Sequence, residues 1–188
     1  MKIETQRSFE HKMVELKARV GDHEFLRTKL SALGAEYTGT FQQSDLYFKV
    51  PEGRLKLREV ENNGTVELIY YERENIAGPK SDDAFILKVQ EPEDLKKILK
   101  KILTPLIVIE KVREIYQYQG TAVSSNYPYI QVHLDTVKNL GKFVELEMET
   151  SEKTQEKDKE ILYNFANELG IEEKQLVKLS YSDLLSLH

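Results

Sequence analysis

The feature that most constrains this chain is a strict alternation of apolar and charged residues in several short segments. It is clearest at residues 13–20, MVELKARV, where Val14, Leu16, Ala18 and Val20 alternate with Glu15, Lys17 and Arg19. A period of two is typical of a β-strand whose two faces meet different surroundings. A sheet with one exposed face would turn such charges to water, so the question is where the charged faces point.

The polar faces of the other alternating segments are sorted by charge. Two faces are basic, one is acidic and one is mixed: Arg54, Lys56 and Arg58; Lys111 and Arg113; Glu145, Glu147 and Glu149; Gln131, His133 and Asp135. In a solvated sheet, opposite charges would be mixed, because pairing them across strands is mildly favourable. The separation suits a bound anion that is accompanied by a metal ion.

Eight segments have the length and composition of strands. They cover residues 13–20, 44–50, 54–60, 65–73, 84–89, 106–118, 129–135 and 142–150. Short turns, among them Asn63-Gly64, connect most of these segments and predict antiparallel pairing. Helical spacing predicts helices within residues 25–33, 92–103 and 161–169, and Ser180 is the predicted N-cap of a short helix over residues 180–187.

The amphipathic helices need apolar partners, and the apolar faces of the strands are the obvious ones. If helices cover those faces, the charged faces point inward. We therefore predict a closed or nearly closed barrel with a wet, charged interior. Such charges cannot be buried dry, since desolvation costs several kcal/mol for each unpaired ion. They need a ligand or water.

Composition narrows the possible partners. The 188 residues carry a formal net charge of −5, with a pI near 5.5. This charge argues against a protein that binds nucleic acid through an overall positive electrostatic potential. The chain has no cysteine, so disulfides and thiolate metal sites are excluded and a cytoplasmic location is expected. No apolar run is long enough to cross a membrane. No linker divides the chain, and we expect a single domain over residues 1–188.

The separated charges match the two parts of a metal-bound polyphosphate. Carboxylates two residues apart suit Mg²⁺ or Mn²⁺, which prefer oxygen ligands and often bridge protein carboxylates to phosphates. Arginines suit phosphate oxygens because the planar guanidinium can bind two of them at once. This division of labour is typical of phosphoryl chemistry that depends on positioning and charge neutralisation.

Taken together, these residues resemble the CYTH domains, also called triphosphate tunnel metalloenzymes. Residues 13–20 resemble the amino-terminal ExExK signature of the family. Residues 43–59 and 67–83 resemble its central strands, and residues 109–116, 132–149 and 180–185 resemble its carboxyl half. The resemblance implies an α+β fold, an antiparallel eight-stranded β-barrel flanked by helices, that forms a triphosphate tunnel. It also implies action on triphosphate substrates with Mg²⁺ or Mn²⁺.

The resemblance implies three sets of site residues. The catalytic set is Lys17, Arg58, Lys111 and Arg113. The substrate-binding set is Lys17, Arg19, Lys56, Arg58, Arg73, Lys111 and Arg113. The metal-binding set is Glu15, Asp135, Glu145 and Glu147.

Two positions bear on how far the family's pattern applies. The first acid of ExExK should fall at residue 13, where this chain has Met13, and a thioether is a poor ligand for Mg²⁺. The site is therefore expected to hold one metal instead of two, to work slowly, or to bind without reacting. Tyr47 lies where some hydrolases of the family have a catalytic tyrosine. The lysine that those enzymes pair with it has no clear counterpart in residues 68–73, LIYYER.

Three functions fit these residues. The first, closest by resemblance, is that of a class IV adenylyl cyclase, in which the ribose 3′-hydroxyl of ATP attacks the α-phosphate and pyrophosphate leaves. The second is hydrolysis of a terminal phosphate, as in inorganic tripolyphosphatases and thiamine triphosphatases. The third, motivated by Met13, is binding of a nucleotide or polyphosphate without turnover. In each case the partner is a small triphosphate, ATP or tripolyphosphate, and the chain is a monomer or a homodimer.

Overall fold

The computed structural model describes residues 10–120 and 129–187, and in this part of the chain eight antiparallel strands close into a barrel. The strands are β1 (Glu10–Val20), β2 (Glu36–Phe48), β3 (Arg54–Val60), β4 (Thr65–Arg73), β5 (Lys80–Lys88), β6 (Pro105–Tyr118), β7 (Ile130–Val137) and β8 (Gly141–Glu149). Their order around the barrel is β1-β5-β4-β3-β2-β6-β7-β8, and β1 closes the ring by pairing with both β5 and β8. The predicted antiparallel eight-stranded barrel is confirmed.

Four α-helices flank the barrel within the described ranges. They are α1 (Glu24–Ala32), α2 (Pro92–Ile102), α3 (Gln155–Glu168) and α4 (Tyr181–Ser186). None of the helices in the described part of the chain combines the length and the apolar character needed to span a membrane. Helices beside an antiparallel barrel agree with the predicted α+β class.

β2 and β5 begin four or more residues earlier than their sequence patterns predict. β2 starts at Glu36, because it pairs along its whole length with β6 through a register shift between Tyr37 and Gly39. β5 starts at Lys80, because the polar residues 80–83, which have a loop-like composition, pair with β1. This longer β5 brings Lys80 and Asp82 to the same barrel wall as Glu15.

The apolar faces of β1, β7 and β8 point outward and are covered by helices, whereas outward apolar residues of β5 and β6, such as Leu87 and Val108, are exposed. Residues of α1 and α3 pack over β1, β7 and β8 in one buried cluster that includes Val14, Leu16, Leu26, Leu30, Leu134, Leu146, Leu162 and Phe165. Leu99 of α2 packs on Phe48 and Leu57 in a second cluster. Because side chains alternate along each strand, this packing turns the charged faces toward the barrel interior.

Helix α4 lies at the barrel end where β1 ends and β8 begins. The Oγ of Ser180 accepts a hydrogen bond from the backbone N–H of Asp183 at 3.1 Å, so Ser180 is the N-cap. Asp183 also forms an ion pair with Arg54 of β3 at 2.8 Å. The ring of Tyr181 packs edge-on against Phe143 of β8, with centroids 5.0 Å apart. This end of the interior is therefore covered by α4.

The covered outer face predicts a contrast between two leucines. Leu146 of β8 has no exposed surface, whereas 59% of Leu106 of β6 is exposed. We expect Leu146→Ala to lower the free energy of unfolding by about 2–5 kcal/mol, because it leaves a cavity under the helices. Leu106→Ala, the matched control, should change it by less than about 0.5 kcal/mol. Urea unfolding measures both values, and equal losses would show that helices do not cover β8.

Candidate active site

The inner faces of the strands line a cavity of about 500 Å³. Most of the site residues predicted from the sequence lie on its wall: Glu15, Lys17, Lys56, Arg58, Arg73, Lys111, Arg113, Glu145 and Glu147. Ser180 and Tyr181 line the end that α4 covers. Gln131 and Glu149, which are exposed lining residues, mark the opposite end, where the cavity opens.

The first charged group on the wall is centred on Asp45 of β2. Arg58, directly opposite on β3, donates from Nε and Nη2 to the two carboxylate oxygens at 2.8 and 2.9 Å. The Nζ of Lys56 lies 3.2 Å from the same carboxylate. Burial raises the pKa of Asp45, but the charges of Arg58 and Lys56 outweigh it and hold that pKa well below its ordinary value. Asp45 therefore stays ionised and orients both cations.

The second group is centred on Asp135 of β7, whose side chain is fully buried. Arg113 donates from Nε and Nη2 to its two oxygens at 2.7 and 2.6 Å, and the hydroxyl of Tyr181 donates to Oδ2 at 2.9 Å. Lys111 lies 3.5 Å from the same oxygen. Asp135 thus lies behind Arg113 and orients it, and the structure does not bring it together with the other predicted metal ligands.

The third group joins β1, β7 and β8. Lys17 lies 2.8 Å from Glu145, which also accepts a hydrogen bond from Arg113. The Nδ1 of His133 lies 3.9 Å from Glu145 Oε2 and 3.5 Å from Glu147 Oε1. One ligand atom from each of these three residues can be chosen so that all lie within 4.8 Å of one another. Two carboxylates and an imidazole are a donor set that fits a divalent metal ion.

The fourth group contains the predicted metal ligand Glu15. Its carboxylate accepts a hydrogen bond from Arg73 and lies 3.7 Å from the Nζ of Lys80. Arg73 has only 2% of its side chain exposed, and its Nε and Nη2 have no hydrogen-bond partner among the described residues. Glu15 is thus held by cations, while Arg73 keeps two buried donors unsatisfied at the cavity wall.

The structure puts one predicted substrate-binding residue outside the cavity. Arg19 is exposed at the end of β1, where its guanidinium donates to the carbonyl of Leu140 at 2.6 Å and lies over the ring of Phe143. It shares the inward face of β1 with Glu15 and Lys17, but β1 ends at Val20, and Arg19 lies at the covered rim instead of on the wall. Alternation gives the face of a residue and not its depth along the barrel axis.

Sequence reasoning missed several residues of the cavity and its walls. The sequence pattern does not identify Asp45, Lys80, Asp82 and Tyr181, and it places His133 on a mixed polar face and not among the metal ligands. Asp45 lies two residues before Tyr47 and therefore on the same face of β2. The alternating pattern could identify it as an inward residue once β2 was assumed to pair with β3. Lys80 and Asp82 carry no such signal, because the segment around them has the composition of a loop.

Tyr47 does not fit the role of a base. Burial, and next the charge of Asp45, raise the pKa of Tyr47 far above its ordinary value. Its hydroxyl lies 3.5 Å from that of Tyr71. The phenol therefore keeps its proton, and Tyr47 is a neutral, packed residue of the cavity wall.

Comparisons with known proteins agree with this geometry. The profile of the CYTH domain family matches residues 11–181. Among solved structures, the PH1012 protein of Pyrococcus horikoshii OT3 is 27% identical and covers 94% of this chain and 99% of its own, with a TM-score of 0.78. A Vibrio parahaemolyticus protein proposed to be an adenylate cyclase is 22% identical and covers 95% of this chain and 99% of its own, with a TM-score of 0.77. A Hippeastrum protein with a dominant triphosphatase activity is 16% identical and covers 94% of each chain, with a TM-score of 0.63. No curated protein sequence matches this chain.

The environment of Asp82 predicts a pH dependence of stability. Burial, and then the charges of Glu15 and Glu147, raise the pKa of Asp82 from 3.8 to about 7. The folded state therefore holds an extra proton between about pH 4 and 7. The stability that this proton contributes is fully present below pH 4 and is lost as pH rises through 7, at most about 1.4 kcal/mol per pH unit.

Asp82→Asn should remove this dependence. Relative to the parent, the variant should gain free energy of unfolding as pH rises from 5 to 8, as measured by urea unfolding at several pH values. Asp83→Asn, which alters the exposed neighbour on the outer face of β5, is the control and should follow the parent. Parallel curves for Asp82→Asn and the parent would show that the pKa of Asp82 is not raised in the folded state.

Proposed function

Because this chain belongs to the CYTH domain family, we propose that it is a metal-dependent enzyme that binds ATP by its triphosphate inside the barrel and converts it to cyclic AMP and pyrophosphate. The observation that carries the proposal is the state of Arg73. Its buried guanidinium keeps Nε and Nη2 without partners among the described residues, on a wall that also carries Lys56, Arg58 and Arg113. Buried donors without partners are costly, and phosphate oxygens would satisfy them.

The carboxylates behind the cations support the same function. Asp45 orients Arg58, Asp135 orients Arg113, and Glu15 orients Arg73. A guanidinium has five N–H donors, so the two that face a carboxylate leave others for a phosphate. Because the side chains are held in place before any ligand arrives, they need little reorganisation as negative charge develops on the leaving pyrophosphate.

The acidic pair beside the cations would hold the metal. Glu145 and Glu147 on β8, together with His133 on β7, fit such an ion by their donor chemistry. The Nδ1 of His133 is also buried and has no hydrogen-bond partner within residues 10–120 and 129–187. When bound, a divalent ion supplies charge neutralisation to the phosphates and makes the attacking hydroxyl more acidic. Lys17 and Arg113 contact Glu145. Glu145 therefore links the cations that would bind phosphate to the residues that would bind the metal.

The uncharged residues of the wall favour a nucleotide over inorganic tripolyphosphate. Ile69, Ile86 and Ile115 line the same cavity, which α4 covers at one end. Ile86 and Ile115 are half-buried, so they still offer apolar surface to a ligand. An inorganic triphosphate has no apolar part to contact them, whereas the base of a nucleotide has one.

Product analysis tests the proposal. The full chain is incubated with ATP and, separately, with tripolyphosphate, each with Mg²⁺ or Mn²⁺. We expect cyclic AMP and pyrophosphate from ATP. ADP with phosphate, or phosphate released from tripolyphosphate, would replace the cyclase with a hydrolase, and binding without any product would reduce the chain to a binding module.

A substitution at Lys56 tests whether the inward cations bind the triphosphate, without disturbing the packing of the cavity wall. In Lys56→Gln, Asp45 keeps its two hydrogen bonds to Arg58, so we expect the fold to persist. Affinity for a non-hydrolysable ATP analogue should fall by about 10–100-fold, because one charge-assisted contact is lost. Isothermal titration calorimetry measures the affinity. Lys138→Gln, at a lysine whose side chain is 65% exposed, is the control and should bind like the parent. A Lys56→Gln variant that binds like the parent would place the triphosphate elsewhere.

A further inference from the structure

We propose that the metal site of this cavity includes the imidazole of His133, and that it therefore selects a first-row transition ion such as Mn²⁺ or Co²⁺ over Mg²⁺. The inference deepens the proposed function, because it names the ion class of the same site. It rests on the positions of His133, Gln131, Glu145 and Glu147, and on what the first strand fails to supply.

Strand pairing builds the cluster. Glu145 and Glu147 are alternate residues on β8, so both face the cavity. On the neighbouring β7, His133 lies directly opposite Glu145 and Gln131 lies directly opposite Glu147. The two carboxylates and the imidazole are therefore fixed by backbone register instead of by long, mobile side chains.

The hydrogen bonding of His133 points its free nitrogen at the carboxylates. Nε2 lies 3.2 Å from Oε1 of Gln131, an oxygen that can only accept, so Nε2 carries a proton and donates. Nδ1 faces Glu147 and Glu145 at 3.5 and 3.9 Å, and it has no hydrogen-bond partner in the described part of the chain. Only 4% of the side chain is exposed. A lone pair that faces two carboxylates becomes favourable when a metal ion lies between them.

The contact with Gln131 supports the metal. A histidine that binds a metal commonly donates its other ring N–H to a carbonyl oxygen, which fixes the tautomer and the ring orientation. The amide oxygen of Gln131 makes that contact here.

Strand β1 does not offer a competing oxygen site. Met13 lines the cavity with a thioether, and Glu15 is held by Arg73 and Lys80. Glu145 is also contacted by cations, but among the described residues the ligand atoms that lie close enough together to share an ion are those of His133, Glu145 and Glu147 on β7 and β8. Mg²⁺ prefers an all-oxygen octahedron, whereas an imidazole nitrogen raises affinity in the order Mn²⁺, Fe²⁺, Co²⁺, Ni²⁺. Compared with a site that has a carboxylate ligand on β1, a site with the imidazole of His133 as a ligand therefore favours these ions over Mg²⁺.

Pulsed electron paramagnetic resonance with Mn²⁺ tests the ligand directly, because a coordinated imidazole gives a ¹⁴N modulation of the spin echo. The full chain is measured without nucleotide, beside His133→Gln and the control His11→Gln, which alters another histidine on the cavity wall. We expect ¹⁴N modulation in the parent and in His11→Gln, and its loss in His133→Gln. Calorimetry should show that His133→Gln weakens Mn²⁺ and Co²⁺ by at least about 10-fold and Mg²⁺ by less. If the glutamine variant does not fold, His133→Asn replaces it.

Three results would overturn the inference. The first is Mn²⁺ bound to the parent without ¹⁴N modulation, which would show that the imidazole of His133 is not a ligand. The second is loss of the modulation in His11→Gln, and the third is equal weakening of Mg²⁺ and Mn²⁺ in His133→Gln. Because no nucleotide is present, these outcomes are independent of turnover. A chain that shows the modulation but forms no product keeps the metal site and loses the proposed reaction.

Discussion

The structure depends on how charges are paired inside a closed barrel. An ion taken out of water without a partner costs several kcal/mol, so a wall with many inward cations is stable only if carboxylates face them. Asp45, Asp135, Glu145 and Glu15 provide those partners. Asp45 and Asp135 contact cations on a neighbouring strand, whereas Glu15 and Glu145 also reach past an intervening strand to Arg73 and Arg113. The strand order of the barrel, and especially its closure through β1, is what brings them within reach.

This pairing also determines what the cavity can do. A carboxylate behind a guanidinium fixes its orientation and leaves its remaining donors facing inward. Arg73 shows the result most clearly, since it is bonded to Glu15 and still has two buried donor nitrogens, Nε and Nη2, without partners among the described residues. The same wall carries the Glu145, Glu147 and His133 cluster, so an anion and its metal ion can be held side by side. Helix α4 covers one end of the cavity, so a ligand enters from the opposite, open end.

The parts of this arrangement that are local were available from the sequence. Alternation at residues 13–20, 54–60 and 142–150 predicts the strands and their two faces, and the amphipathic helices predict which face is covered. Lys80 and Asp82 could not be predicted, because a polar segment becomes a strand only by pairing with β1. His133 becomes a candidate metal ligand only through its position opposite Glu145 on another strand, and the position of Arg19 at the barrel rim depends on where β1 ends. These features follow from tertiary pairing, which the period of a single strand does not contain.

A crystal structure of the full chain with Mn²⁺ and a non-hydrolysable ATP analogue would test the central claim most directly. The account predicts the triphosphate inside the barrel, in contact with Lys56 and with the free donors of Arg73. It also predicts an anomalous manganese peak beside His133, Glu145 and Glu147. An analogue bound to the outer surface, with the inner cations contacting only their carboxylates, would contradict it.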